Sequence, residues 1–349
     1  MLRISKILTL LTLMLFFFSC NAYASESVGY DFIKSGMEVT ENFTLTLYRS
    51  LVASFEALFV TIAMITLVIH GLRWMLGKPD IVNLLKFFFT LVAVKTIAFN
   101  PGVFEEWFYR PVMSTTYSLP AYVLAITEGR SAFNSADSLY SMFSTIDSAI
   151  NSIGQASDII VEAKGGVLSI SGLRYLITGL GIKGMYYALY IIFMVMFCVG
   201  IIAAHFLLAA APFAVSLIAF EGLRGLSYNT LRNFFSYCLM PFFASVAMGI
   251  TLFVIRGIVD EAQAIVDSGN ISQISPTFFV EASIAGAFSI YFHIKAGQFA
   301  SQVVGGQISD FGAGLASMMG LGGAIAKGGI SLVGKMGGKL AGKLGSGAK

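Results

Sequence analysis

Charge is what this sequence has least of. Only 12% of its 349 residues are Asp, Glu, Lys or Arg, against about a quarter in soluble domains. Hydrophobic residues make up 56% and the mean hydropathy is +0.80. So few charges cannot give water a polar surface over a chain of this length, which excludes a soluble globular protein and places most of the chain in lipid.

Cysteine and histidine are scarce too. Beyond Cys20 the only thiols are Cys198 and Cys238, both inside apolar runs, so the exported portions hold no disulfide pair and inert packing is expected of each. His70, His205 and His293 lie far apart, and HExxH, CxxC, GxSxG and GxxxxGK[ST] are all missing. No catalytic centre, metal site or cofactor is read here, and the chain is not expected to be an enzyme.

What the sequence does contain is long apolar runs. Residues 1–24 form a leader: Arg3 and Lys6 precede the run from Ile7 to Phe18, and Ala22 and Ala24 offer small residues for cleavage. An uncleaved anchor and lipidation at Cys20 are its rivals. Five later segments reach the ~20 apolar residues that a bilayer-crossing helix requires: 51–69, 81–99, the run from Gly184 to Phe220, 234–255, and about 278–304. The expected fold is an all-α polytopic membrane protein of about five transmembrane helices. The third run is nearly twice the needed length, so Gly184 to about His205 is read as the crossing. Pro212 then bends the remainder, with a tight hairpin of two crossings as its rival.

Orientation follows from Lys and Arg near the span ends. Arg73 and Lys78, Arg224 and Arg232, and the lysines of the tail fall on one side if there are five spans. The other side receives Glu26, Asp31, Glu38 and Glu41, and segment 101–172, where seven acids face three bases. With the leader placing Ser25 outside, the chain reads N-outside, C-inside. The layout is then leader 1–24, exported N-terminus 25–50, helices one and two over 51–99, exported loop 100–172, helices three to five over 173–304, and a Gly/Lys-rich inner tail 305–349.

Three features invite function. "FEGLRGLSYNTLRNFF" (220–235) is an inner elbow between spans, its core at 221–233, where Gly222 and Gly225 permit a turn and Arg224 and Arg232 meet the inner headgroups. Setting topology is the plain role for these arginines, and docking a cytoplasmic partner is the sharper one. Glu56 and Lys95 fall at similar depth in antiparallel spans, as an intramembrane ion pair or as two side chains that snorkel separately. In the exported loop, Leu139, Met142, Phe143, Ile146, Ile150 and Ile153 make one helical stripe. It packs on the same chain, or on a neighbouring subunit, a partner or the membrane surface. The tail is expected to be an arm weakly attracted to phospholipid.

The order of these segments resembles the polytopic inner-membrane subunit of bacterial type IV secretion and conjugation machines, the TrbL/VirB-type family. The resemblance is most specific in "LAAAPFAVSLIAFEGLRGLSYNTLRNFFSYCLMPFF", where Pro212, Arg224, Leu231, Tyr237 and Pro241 match the family's pattern, and Thr230 stands where the family often has Trp. "VNLLKFFFTLVAVKTIAF" and "FASQVVGGQISDFGAGL" resemble the family's second span and its close. The resemblance implies a periplasmic N-terminus and loop, and several copies around an axis at the base of the channel. It also implies a role in pilus assembly and in passage of DNA or protein. Implied partners are pilin and minor pilin subunits, inner-membrane scaffold subunits and transport ATPases. Small residues such as Gly179, Gly184, Gly200, Gly249 and Gly286 would let copies approach closely. The alternative is a secondary transporter or small-solute channel, against which the lack of a convincing internal repeat counts.

Overall fold

A computed structural model describes residues 28–77, 81–127, 135–162, 170–268 and 277–305. The expected leader and the tail beyond Gly305 lie outside the described residues. Within them every regular element is a helix. α1 runs unbroken over Val28–Met75, without a single proline. Its polar residues do not disturb it, because Thr40, Ser50, Thr61 and Thr66 each return a hydroxyl to the carbonyl four residues back. That bond satisfies a polar group inside its own helix, as lipid requires. Gly77 ends the segment in the left-handed region (φ 73°), where glycine carries no Cβ penalty.

α2 (Ile81–Ala98) returns antiparallel to the end of α1. Asn100 then caps the short α3 (Pro101–Phe104), accepting a bond from the Val103 N–H with Pro101 in the first turn. A π-helical turn at Glu105–Tyr109 leads into α4 (Arg110–Thr127). α5 (Ser135–Glu162), α6 (Ile170–Ala209), the short α7 (Ala211–Ser216), α8 (Arg224–Ser268) and α9 (Phe278–Val304) follow among the described residues. Among the described residues four helices are long and apolar enough to cross a membrane: α1, α2, α6 and α8. The fifth expected span does form a helix, α9, but Glu281, His293 and Lys295 keep it outside that group.

The main core lies where α5, α6, α8 and α9 meet, centred on Phe143, Ile146, Tyr186, Phe193, Phe197 and Met248, all fully buried. Helices approach closely there because glycines face bulk. A Cβ on Gly200 of α6 would lie 2.7 Å from Cδ of Pro241 on α8, and one on Gly179 would lie 2.9 Å from the Ser157 carbonyl of α5. Gly286 of α9 gives the same room to Met185 of α6. These small residues, read from sequence as contacts between copies, serve contacts within one chain. In lipid such close packing replaces the missing hydrophobic drive between helices.

The two halves of the molecule are filled very differently. Half of the most apolar stretch of α6 and 56% of that of α8 are buried inside the chain, against 11% for α1 and 17% for α2. Gly200→Val is expected to overpack the α6–α8 crossing and to cost about 1–3 kcal/mol. A lowered thermal midpoint of the purified protein in mild detergent checks this.

Candidate functional site: the elbow and the charged collar

The elbow begins where α6 stops at Ala209. Ala210 (φ −88°, ψ −2°) carries the break, and Pro212 occupies the first turn of α7, where a missing N–H costs nothing. The long third run therefore does not fold back into a second crossing. Phe220 is extended (φ −106°, ψ 114°) and its carbonyl accepts from the N–H groups of Leu223 and Arg224 as α8 starts. Two side chains tie the turn: Ser227 Oγ donates to the Ala214 carbonyl at 2.5 Å, and Arg224 Nε to the Ile218 carbonyl at 3.0 Å. Gly222 and Gly225 have open space around them and no left-handed backbone. The turn is thus made by Phe220 and these bonds, and the glycines are not what permits it.

Two phenyl rings anchor the elbow. Phe220 sits 5.7 Å from the Phe59 ring of α1 and 6.1 Å from the Phe87 ring of α2, and Phe213 sits 5.4 Å from Phe55. Phe59 and Phe87 lie near the middles of the first two apolar segments, not at their ends. The elbow is wedged between those helices at mid-length, by the seat of Phe220 on Phe59 and Phe87. Glu221, Arg224, Leu226, Tyr228 and Arg232 are exposed around this wedge. Of the elbow residues singled out from sequence, Arg224 and Arg232 form surface, Pro212 and Pro241 are buried, and Tyr237 is half-buried between two core clusters.

A charged collar surrounds α1 where its polar half gives way to its apolar half. Glu105 takes a bond from Arg49 and another from Arg110, both at 3.0 Å. The Tyr48 hydroxyl donates to the Ala98 carbonyl at the end of α2, and its ring stacks on Phe104. Two turns further along α1, Glu56 lies 3.2 Å from Lys95. The sequence offered no sign that Arg49 and Arg110 converge on Glu105, since these residues are brought together only by the fold of α3 and the π turn. The Arg110 bond, then that from Arg49, holds the Glu105 carboxyl below its ordinary value. Both arginines are largely exposed, so the arrangement is worth less than about 1 kcal/mol.

His205 is fully buried and satisfied: its Nδ1 faces the Ile201 carbonyl at 2.8 Å and Nε2 faces the Tyr117 hydroxyl at 3.1 Å. The expected stripe on α5 is buried along its whole length. It faces α6 and α8 of the same chain, so neither a partner nor the membrane takes that face. Sequence reasoning passed over Lys183, a buried lysine on α6 whose Nζ lies 2.6 and 2.7 Å from the Asp158 carboxylate oxygens of α5. Its position at the edge of an uncharged run was the one available signal. Among the described residues no group of three or more His, Cys, Asp or Glu gathers to hold a metal ion.

A family model described as TrbL/VirB6 plasmid conjugal transfer protein matches residues 63–296, from the apolar half of α1 through the elbow and into α9. No curated protein matches the chain.

Two outcomes test the geometry. A lowered folded-state pKa means the Glu105 contribution is complete above the ordinary carboxyl value of 4.5 and is lost as pH falls through the lower folded value. Glu105→Gln should therefore flatten the acid limb of a plot of thermal midpoint against pH. Gly222→Ala and Gly225→Ala should leave the unfolding free energy within about 0.5 kcal/mol of wild type, as ordinary surface changes do.

Proposed function

Since the chain belongs to the TrbL/VirB6 family of plasmid conjugal transfer proteins, we propose that it is the inner-membrane subunit on which a conjugative pilus is assembled and through which DNA or protein is passed. It is a multi-pass membrane protein and a component of a conjugal transfer, or type IV secretion, system. The finer role is structural and not enzymatic, with no cofactor. Several copies would surround an axis, N-terminus periplasmic and C-terminus cytoplasmic, in contact with phospholipid, pilin and minor pilin subunits, scaffold subunits and transport ATPases.

One observation carries this reading beyond the family: the exposed basic elbow. Arg224 and Arg232 project from a turn whose other side is fixed to α1 and α2 by Phe220 and Phe213. A surface charge on a firmly seated turn suits recognition of an acidic partner, since charge complementarity sets partner choice and encounter rate. The cytoplasmic ATPases of the machine are the partners this surface would serve.

Reversing both charges, Arg224→Glu with Arg232→Glu, should lower plasmid transfer from cells by at least tenfold while the amount of protein in the membrane fraction stays unchanged. Loss of the protein from the membrane would instead assign the arginines to topology alone.

A further inference from the structure

The charged collar stands where a membrane-length helix ends. The 18 residues of α2 extend about 27 Å, close to the ~30 Å of a hydrocarbon core, and Val82, Leu85, Phe89 and Val92 are exposed along one of its faces. At its last turn Lys95 meets Glu56 and the Ala98 carbonyl meets Tyr48. The short α3 and the π-helical turn follow at once.

That turn has two unlike faces. Its widened backbone runs the Arg110 N–H to the Glu105 carbonyl five residues back, which brings Arg110 over Glu105, and the two carboxylate oxygens are then shared out, Oε1 to Arg110 and Oε2 to Arg49. Glu105 so holds two like charges side by side. Between Glu105 and Arg110 in sequence, Trp107 stands outward and is 79% exposed. The other tryptophan of the chain, Trp74, is 53% exposed beside Arg73, at the opposite end of the same hairpin. Exposed indoles at both ends of an apolar band belong at headgroup level, where the ring lies in an apolar layer and its N–H reaches water.

The arginines supply what a headgroup needs. Their side chains are 59% and 69% exposed, and each meets Glu105 through Nη2, although a guanidinium carries five N–H donors in a planar fork that suits phosphate. Charge decides which phosphate. Arg49, Lys95 and Arg110 are balanced by Glu56, Glu105 and Glu106, and Glu106 is exposed beside Trp107. A balanced collar with a carboxylate at its surface favours a zwitterionic headgroup, phosphate toward the arginines and ammonium toward Glu106, over an anionic one.

We propose that Arg49, Arg110 and Trp107 form a phospholipid site at the collar end of the α1–α2 hairpin, which takes the phosphate of an amine-headed zwitterionic lipid such as phosphatidylethanolamine. The inference rests on α1 and α2 crossing the membrane and adds what their collar end grips.

The two tryptophans make the site measurable. In the Trp74→Phe variant, placed in nanodiscs of phosphatidylethanolamine and phosphatidylglycerol, Trp107 emission should be quenched more by phospholipid with a nitroxide near the headgroup than by one with it deep in the acyl chain. Native mass spectrometry of protein extracted in mild detergent should show bound phosphatidylethanolamine, which excess inorganic phosphate does not displace. Arg49→Gln with Arg110→Gln should lower that lipid about tenfold, as loss of a charge-assisted bond does, while Arg256→Gln, exposed on α8, should leave it unchanged. Trp107 quenched by neither lipid, beside a quenched Trp74 in the Trp107→Phe variant, would overturn the site and leave the hairpin in the membrane. If neither tryptophan is quenched, the hairpin itself is not in lipid. Undiminished phosphatidylethanolamine in the double arginine variant would remove the arginines from the site, and equal retention of phosphatidylglycerol would overturn the zwitterionic assignment.

Discussion

Everything in the body of this protein is arranged around the close crossing of α6 and α8 at Gly200 and Pro241. The proline ring lies where any side chain on residue 200 would stand, so the two longest apolar helices of the core touch almost backbone to backbone. α5 and α9 then pack against the pair, with Phe143 edge-on to Phe197 and Gly297 open to Met196 and Met240. Proline inside a helix removes one backbone bond and bends the rod. Here the proline stands opposite a glycine, and the lost bond is accompanied by a close approach that leucine or valine at residue 200 would forbid.

Polar groups are satisfied both within helices and between them. Hairpin hydroxyls such as those of Thr61, Thr90 and Thr96 bond within their own helices, and α1 and α2 are tied to each other by the Tyr48–Ala98 bond and the Glu56–Lys95 pair. The body also ties helices to each other through polar side chains: Lys183 to Asp158, Tyr186 to the Ala282 carbonyl, Tyr117 to His205.

Much of this was legible in the sequence, because lipid imposes a simple grammar. Apolar runs of sufficient length gave the helices, Pro212 marked the break after α6, and the spacing of Leu139 to Ile153 gave the buried stripe of α5. Depth was less legible. Hydropathy assigned the elbow only to a side of the membrane, whereas its seat, Phe220 against Phe59 and Phe87, is decided by ring packing. The Arg49–Glu105–Arg110 collar was unreadable for a related reason: its members acquire proximity from the capped turn at Asn100 and the widened turn after it. Glycine misled in both directions, for Gly222 and Gly225 look like turn residues and are not needed, while Gly200 and Gly179 look like contacts between copies and are spent inside one.

The seat of Phe220 also has a consequence for synthesis. The hairpin that receives it leaves the ribosome roughly 120 residues earlier, which at about 5–20 residues per second is an interval of around ten seconds. During that time Phe59 and Phe87 have no elbow between them, and α1 and α2 must rest against lipid, a membrane insertase or an already completed copy. Arrival of the elbow is therefore the step that converts a freely inserted pair of helices into part of the finished subunit.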